Sequence, residues 1–413
     1  MNILFYIACF LLPFENLVIA PSAGWATISP IILFLYLCFN IGYIGKEIIK
    51  YKKILGIIAV GLLITLLNYL FISSYLEESI LRTINTLISL GLGITSLFAF
   101  DIFFIQRKGN IKKIEKILLL AYTIALIIGI IQFLTINFNI NFVRVIDELF
   151  TKRSYLPYNR VQFTFTEPSF IGMHLFGVLL PIYFYGKNQA LKKLIIAFSI
   201  ISILVGSGLR IILDIIVAIA IYILYKMDIR KIKNIVLIIL TGIVLIGGIQ
   251  YEYENNGRVR GIINEGVYAD GSFASRWFRM NASLKGYKND ALHALFGYGF
   301  GQEILPLKKG YVEAANEYVN MTYLKEVNDL GYMETQPDES VSYCLHIRIL
   351  SELGIIMYIY ICYQLILCYA KINEEWKYIM MVGSYLYIQF ESYAFYTIWL
   401  IIVLCQLHIK EKS

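Results

Sequence analysis

The sequence predicts an all-α polytopic membrane protein of about twelve transmembrane helices with one large extracytoplasmic loop, and three observations predict it. Apolar runs of roughly 17–25 residues, long enough to cross a bilayer as helices, recur from Ile3 to His408. Hydrophobic residues make up 58% of the chain and charged residues only 16%, too few to coat a soluble surface. One long polar stretch, 251–341, interrupts the pattern. The chain therefore reads as a single integral membrane domain, 1–413, that keeps something to do at one membrane face.

The expected spans fall at about 3–20, 27–45, 54–72, 82–106, 117–137, 168–186, 194–209, 210–225, 235–250, 342–369, 378–390 and 392–408. The first loosely resembles a signal peptide. It lacks a positive start, and Pro13-Phe14-Glu15-Asn16 interrupts its apolar core, so it reads as an uncleaved span. The last pair is short, and a re-entrant hairpin is its alternative. Twenty of the 36 lysines and arginines sit in the short loops around Lys50, Lys112, Lys192, Lys231, Lys371 and Lys410. Cytoplasmic loops retain such charge, which places both termini in the cytoplasm.

Two segments then face the other side, 138–167 and 251–341. Their basic residues near the membrane are mainly arginine: Arg144, Arg153, Arg160, Arg258, Arg260, Arg276 and Arg279. Arginine's planar fork grips phosphate with two hydrogen bonds and stays charged at any working pH. The large loop is expected to hold short helices. Asp270-Gly271-Ser272 supplies a turn and N-cap before Phe273–Lys285, and Arg276 and Arg279, three apart, share one helical face. The acids of its second half, from Glu313 to Glu339, read as a solvated lid surface.

Composition excludes several classes. The net charge of +7 is largely absorbed by topology, and no basic run with interleaved aromatics suggests nucleic acid. The six cysteines lie in apolar runs without a CxxC spacing, and the four histidines lack metal-ligand spacing. No metal or cofactor is expected. No period of 20–50 residues marks a repeat architecture.

Three places could carry chemistry. Glu167 precedes Pro168, which suits a first helical turn, so its carboxylate would stand at the positive end of a helix dipole; a plain helix-start acid is the alternative. Arg210 is nearly flush with lipid, where an unpaired charge costs at least ~2.5–3.5 kcal/mol; a self-neutralising pair with Asp214 at i,i+4 is the bland reading. His346 opens the tenth span, where a neutral imidazole can take a proton; a bundle hydrogen bond is the commoner fate of such a histidine. Arg348 and Glu352 repeat the i,i+4 pattern. Gly297-Tyr298-Gly299-Phe300-Gly301 looks like a phosphate cradle but follows no predicted strand, so it reads as a turn.

Several segments together resemble the bacterial O-antigen polymerase and O-antigen ligase superfamily. They are Arg160 with Thr166-Glu167-Pro168-Ser169, Ser207-Gly208-Leu209-Arg210, Asp270 to Arg276, Leu295 to Gly301, and His346 with Glu352-Leu353-Gly354. The resemblance covers about 150–360 and rests on order and spacing. It implies a fold like that of C-type lipid-linked glycosyltransferases, in a bacterial cytoplasmic membrane, with undecaprenyl-diphosphate-linked oligosaccharides as substrates and a chain-length regulator as partner. It also implies Arg210 and Arg276 on the diphosphate, Arg160 at the rim, and His346 on the acceptor side with Glu167 as its rival. Arg153, Arg279 and Arg348 complete the substrate-binding set. The chain departs from an arginine–x10–glycine pattern of some polymerases: eleven residues separate Arg160 from Gly172, and nine separate Arg276 from Gly286. The implied reaction polymerises repeat units into a surface polysaccharide by inverting, metal-independent displacement. A ligase transferring the finished glycan to lipid A core or protein is the alternative. A lipid-glycan flippase or transporter comes third, for want of inverted repeats and midplane charges.

Overall fold

Pro13 ends the first helix early. In the computed structural model, which describes residues 2–19, 27–71, 80–206, 208–226, 231–255, 257–266, 271–317 and 342–412, α1 spans only Asn2–Leu11. The expected span over 3–20 therefore stops halfway. Leu12 to Asn16 instead turn inward, with Glu15 and Asn16 buried. The second run bends as well: α2 (Ser29–Cys38) and the segment Ile41–Lys50, whose α-helical part is α3 (Ile44–Lys50), cross at 78°.

All regular structure among the described residues is helical. Five helices are long and apolar enough to cross a membrane: α4 (Lys52–Phe71), the helix Ile80–Gln106, α6 (Ile111–Phe138), the helix Pro168–Gly186, and the helix Leu345–Lys371; the bent pair would make six. Within Ile80–Gln106, α5 covers Ile80–Asp101. It buries Thr83, Thr86, Ser89 and Ser96. Thr83 donates to the Phe300 carbonyl, Thr86 accepts from Arg348, Ser89 accepts from the Ala394 N–H and Ser96 donates to the Leu92 carbonyl of its own helix, so no hydroxyl is left to lipid. α6 begins where the Asn110 side chain accepts from the Lys113 N–H, and Asn139 in left-handed backbone ends it. Its Ala121, Ala125 and Gly129 lie at i, i+4, i+8 and are buried. A Cβ at Gly129 would fall 1.9 Å from the Phe163 ring, so the small residue admits that aromatic.

α7 (Asn141–Phe150) leaves Phe142, Val145, Ile146 and Leu149 exposed along one face, the pattern of a helix lying in a membrane interface. On the other face Asp147 accepts from Gln132 (3.0 Å) and Ser154 (2.7 Å). Four helices follow: α8 (Leu180–Gly186), which ends the span from Pro168, α9 (Gln189–Leu204), α10 (Leu209–Lys226) and α11 (Ile232–Asn255).

The described part of the polar stretch is mostly helical. After α12 (Gly257–Glu265), α13 (Gly271–Lys288) contains the expected arginine helix and packs on α15 (Ile304–Glu317), with α14 (Ala291–Phe296) between them. Ala274, Phe278, Ala282, Leu307, Tyr311 and Ala314 form their shared core. The two backbones touch at glycines: a Cβ at Gly286 would meet the Pro306 carbonyl oxygen at 1.8 Å. The proposed cap at Asp270 and the acids beyond 317 lie outside the described residues.

α16 (Leu345–Lys371) breaks at Gly354 (φ 75°, ψ 170°), a conformation that glycine adopts without a Cβ penalty. The chain ends in α17 (Glu374–Leu386) and α18 (Thr397–Lys412), joined by a strap whose Tyr387, Phe390, Tyr393, Phe395 and Tyr396 are all buried.

Candidate functional site

Side-chain amides fix the segment that carries Arg153, Arg160 and Glu167. Asn16 donates to the Arg153 carbonyl (2.7 Å) and accepts from the Arg153 N–H (3.2 Å). Gln132 accepts from the Phe163 N–H (2.8 Å) and donates to the Phe163 carbonyl (2.9 Å). Gln162 reaches Arg153 and Tyr155 in the same manner. These amides add to a short backbone pairing of residues 16–18 with 150–152, centred on an antiparallel bridge between Leu17 and Thr151. Glu15, fully buried, lies 2.9 Å from His174 Nε2 and accepts weakly from Thr166, while Tyr122 bonds the other ring nitrogen at 2.8 Å.

At the rim of this loop Arg153 pairs with Glu167 (3.3 Å), whose other oxygen accepts from Ser169 (2.9 Å). The Tyr155 ring lies beneath both Arg153 and Arg160, at 4.6 and 5.5 Å from their guanidinium carbons, a cation–π arrangement. Burial lowers the Arg160 pKa, opposed by Tyr155 and Glu167. Its guanidinium reaches the space over Gly208, where a Cβ would stand 2.9 Å from Nη2.

Arg210 sits just inside. Its Nη1 donates to the Gln389 carbonyl (2.8 Å) and Nη2 to the Leu386 carbonyl (3.4 Å). Asp214 is 3.8 Å from Nε, beyond hydrogen-bond range, because its other oxygen takes the Tyr385 hydroxyl at 2.9 Å. Gly172 makes room for that carboxylate; a Cβ there would fall 1.9 Å from Oδ2. Carbonyl dipoles orient Arg210 without cancelling its charge.

Arg276 completes the group. It lies within electrostatic reach of Tyr155, Arg160, Arg210 and Asp214. Its guanidinium stands 5.6 Å from the Tyr343 ring centroid, with Arg279 5.0 Å from the same ring. Arg153, Arg160, Arg210 and Arg276 thus gather around Glu167 and Asp214, which leaves two positive charges in excess. Such an excess favours an anionic ligand, most strongly at the buried Arg210 and least at the exposed Arg153.

The other expected residues lie elsewhere. Both nitrogens of His346 are engaged: Nε2 with the Ser384 carbonyl (3.1 Å) and Nδ1 with the Tyr358 hydroxyl (3.2 Å). A carbonyl can only accept, so Nε2 donates in the first contact, which ties α16 to α17. The break at Gly354 is what brings Tyr358 back to it. Arg348 closes an internal network with Glu352 (3.1 Å), Thr86 (2.7 Å), the Glu391 carbonyl (3.3 Å) and, farther off, Glu303 (3.8 Å). The glycine turn is packed rather than open. Gly297, Gly299 and Gly301 have positive φ, and a Cβ on each would strike the backbones of Glu352, Thr65 and Thr83 with Arg82.

Sequence reasoning gave no role to Glu391 and Glu303, which have no local signal, or to Asn16 and the Glu15–His174 pair, whose only signal was the polar break in the first apolar run. It also missed Asp290, which accepts from His293 Nδ1 (2.7 Å), Tyr298 (3.1 Å) and Lys309. Burial works against its charge, but these donors hold the Asp290 pKa down at about 2. The spacing of an N-cap Asp with a His three residues on was the signal available. Among the described residues no group of histidine, cysteine and carboxylate side chains has metal-site geometry. Comparisons with protein-family models, curated proteins and solved structures returned no match.

Proposed function

We propose that this chain is a glycosyltransferase that polymerises oligosaccharide units carried on a polyprenyl diphosphate, at the outer face of a bacterial cytoplasmic membrane. The observation that carries the reading is the arginine excess around Arg210, a buried guanidinium backed by carbonyls rather than by a bonded carboxylate. Breaking a glycosyl–phosphate bond develops negative charge on the departing diphosphate, and preorganised cations in a dry site stabilise it. Arg210 and Arg276 hold the diphosphate in this reading, with Arg160 and Arg153 at its mouth. Displacement by an acceptor hydroxyl inverts the anomeric carbon. The bent pair, α9, α10, α11, α17 and α18, and α1 together with the segment that turns inward after Pro13, bring the five long helices to twelve spans, with both termini cytoplasmic and α12 to α15 outside. Reporter fusions at Lys112 and Lys288 should then read opposite faces; the same face from both would undo the scheme.

Transfer is tested on protein reconstituted with a lipid-diphosphate oligosaccharide. Arg210→Ala and Arg276→Ala should each slow transfer about a hundredfold or more, a loss of ~2.7–4 kcal/mol per removed oxyanion-type contact. Lysine at either position should rescue only part, since an ammonium lacks the fork. Normal product ladders from both alanine variants, at matched membrane levels, would remove the clamp from the mechanism.

A further inference from the structure

We propose that Glu391 is the base that takes the acceptor hydroxyl's proton in this transfer, an assignment that rests on the polymerase reading of the arginine site. The residues the sequence offered for that task are committed elsewhere. His346 has both ring nitrogens bonded, and Glu167 is held by Arg153 and Ser169. Glu391 is held at one oxygen only: Oε2 accepts from the Tyr343 N–H at 2.7 Å. Its Oε1 takes no hydrogen bond from any described residue, and the residue is half-buried.

Two connections bring this carboxylate to the arginines. Tyr343, whose N–H holds it, lays its ring beneath Arg276 and Arg279. The strap that carries it bonds Arg210 through the Leu386 and Gln389 carbonyls and Arg348 through the Glu391 carbonyl. Glu391 therefore stands on the same short piece of backbone that orients the clamp. The neighbouring acids are enclosed: Glu352 is fully buried and bonded to Arg348 and Tyr393, and Glu303 is buried and bonded to Ser342.

The step balances without a metal or co-reactant. The acceptor oxygen forms a bond to the anomeric carbon, the carbon–oxygen bond to the diphosphate breaks, and the diphosphate leaves with the electron pair. The hydroxyl proton passes to Glu391 Oε1, giving a neutral carboxyl that later returns it to water. The charged groups that act on Glu391 are Glu303 before α15, Arg348 on α16 and Arg279 on α13; Glu352 and Tyr393 stand behind Arg348, which they and Glu391 share. Burial and then Glu303, opposed by Arg348, push the Glu391 carboxyl up to about 8. A base of that strength is matched to a near-neutral working pH. Because the ionised form is the base, the rate should climb as pH rises and level off above about 8.

The test is the pH profile of transfer by the reconstituted full chain between pH 6 and 9.5, with donor binding measured alongside. Wild type should show the rising limb. Glu391→Gln should lose it and transfer about a hundredfold more slowly, while binding the lipid-diphosphate donor normally. Glu391→Asp should regain part of the rate together with a rising limb. A flat wild-type profile overturns the assignment without any variant, so poor folding of a mutant does not shield it. A limb that persists in Glu391→Gln and disappears in His346→Ala would return the role to the imidazole. Activity in Glu391→Gln with loss in Arg210→Ala would sink the base and spare the clamp, whereas no transfer by wild type would sink both.

Discussion

Arg210 and Arg348 share one local pattern, an arginine four residues before an acid near the end of an apolar helix, and they finish in opposite surroundings. Arg348 is 3.1 Å from Glu352 and has Glu303 and Glu391 as further acidic neighbours. Arg210 is 3.8 Å from Asp214 and has Arg276 nearby. One guanidinium has three acids and no other arginine among its charged neighbours; the other has Asp214 and Glu167 but also a second arginine, Arg276. The i,i+4 spacing is the same in both, so it cannot tell a structural pair from a binding charge. What separates them is the sign of the residues that arrive from distant parts of the chain.

That contrast breaks most sharply on stability. Arg348→Ala should destabilise the protein by ~3–5 kcal/mol, the usual cost of stripping one partner from a buried ion pair. Glu352 would stay buried beside Glu303 with no cation, and thermal unfolding in detergent should begin at a clearly lower temperature. Arg210→Ala should melt close to wild type, since it removes a charge whose carboxylate neighbour has a second partner in Tyr385. Equal melting of the two variants would erase the distinction.

The parts of this site that could be read from sequence were the local ones. Helical period and an arginine spacing of three located α13, whose arginines do face one ring. Apolar run length located the long spans, and the Pro168 start of one of them was placed correctly. The Pro13 to Asn16 interruption was visible too, but only as a defect in a span. Its meaning depends on Arg153 and Thr164, some 140 residues away, which no window can bring together. Glu391 was hidden for a related reason. It lies in a ten-residue turn between two short apolar helices, where nothing marks it until Tyr343 and Arg348 fold against it. His346 draws notice as a histidine at a span mouth, and what a sequence window cannot show is that one ring nitrogen bonds the Ser384 carbonyl on α17 and the other bonds Tyr358 beyond the Gly354 break of its own helix.

The smallest effect sharpens the comparison from the Arg210 side. Asn16 is a buried amide that bonds Arg153 at both its N–H and its carbonyl. Its removal leaves the N–H unpartnered, whereas the carbonyl keeps Gln162 at 2.8 Å. The cost of Asn16→Ala should therefore lie near the low end of the usual ~1–3 kcal/mol for an orphaned buried group. If the loop serves only the fold, that loss should appear in melting alone. If it holds the mouth of the diphosphate site, Arg153 should also lose its fixed placement, and the KM for donor should rise several-fold while kcat changes little. Asn16→Asp keeps the acceptor for the Arg153 N–H and should recover part of the KM. A fall in kcat at unchanged KM would instead place the influence of Asn16 on the reacting atoms, and the division between a binding rim and a structural arginine would have to be redrawn.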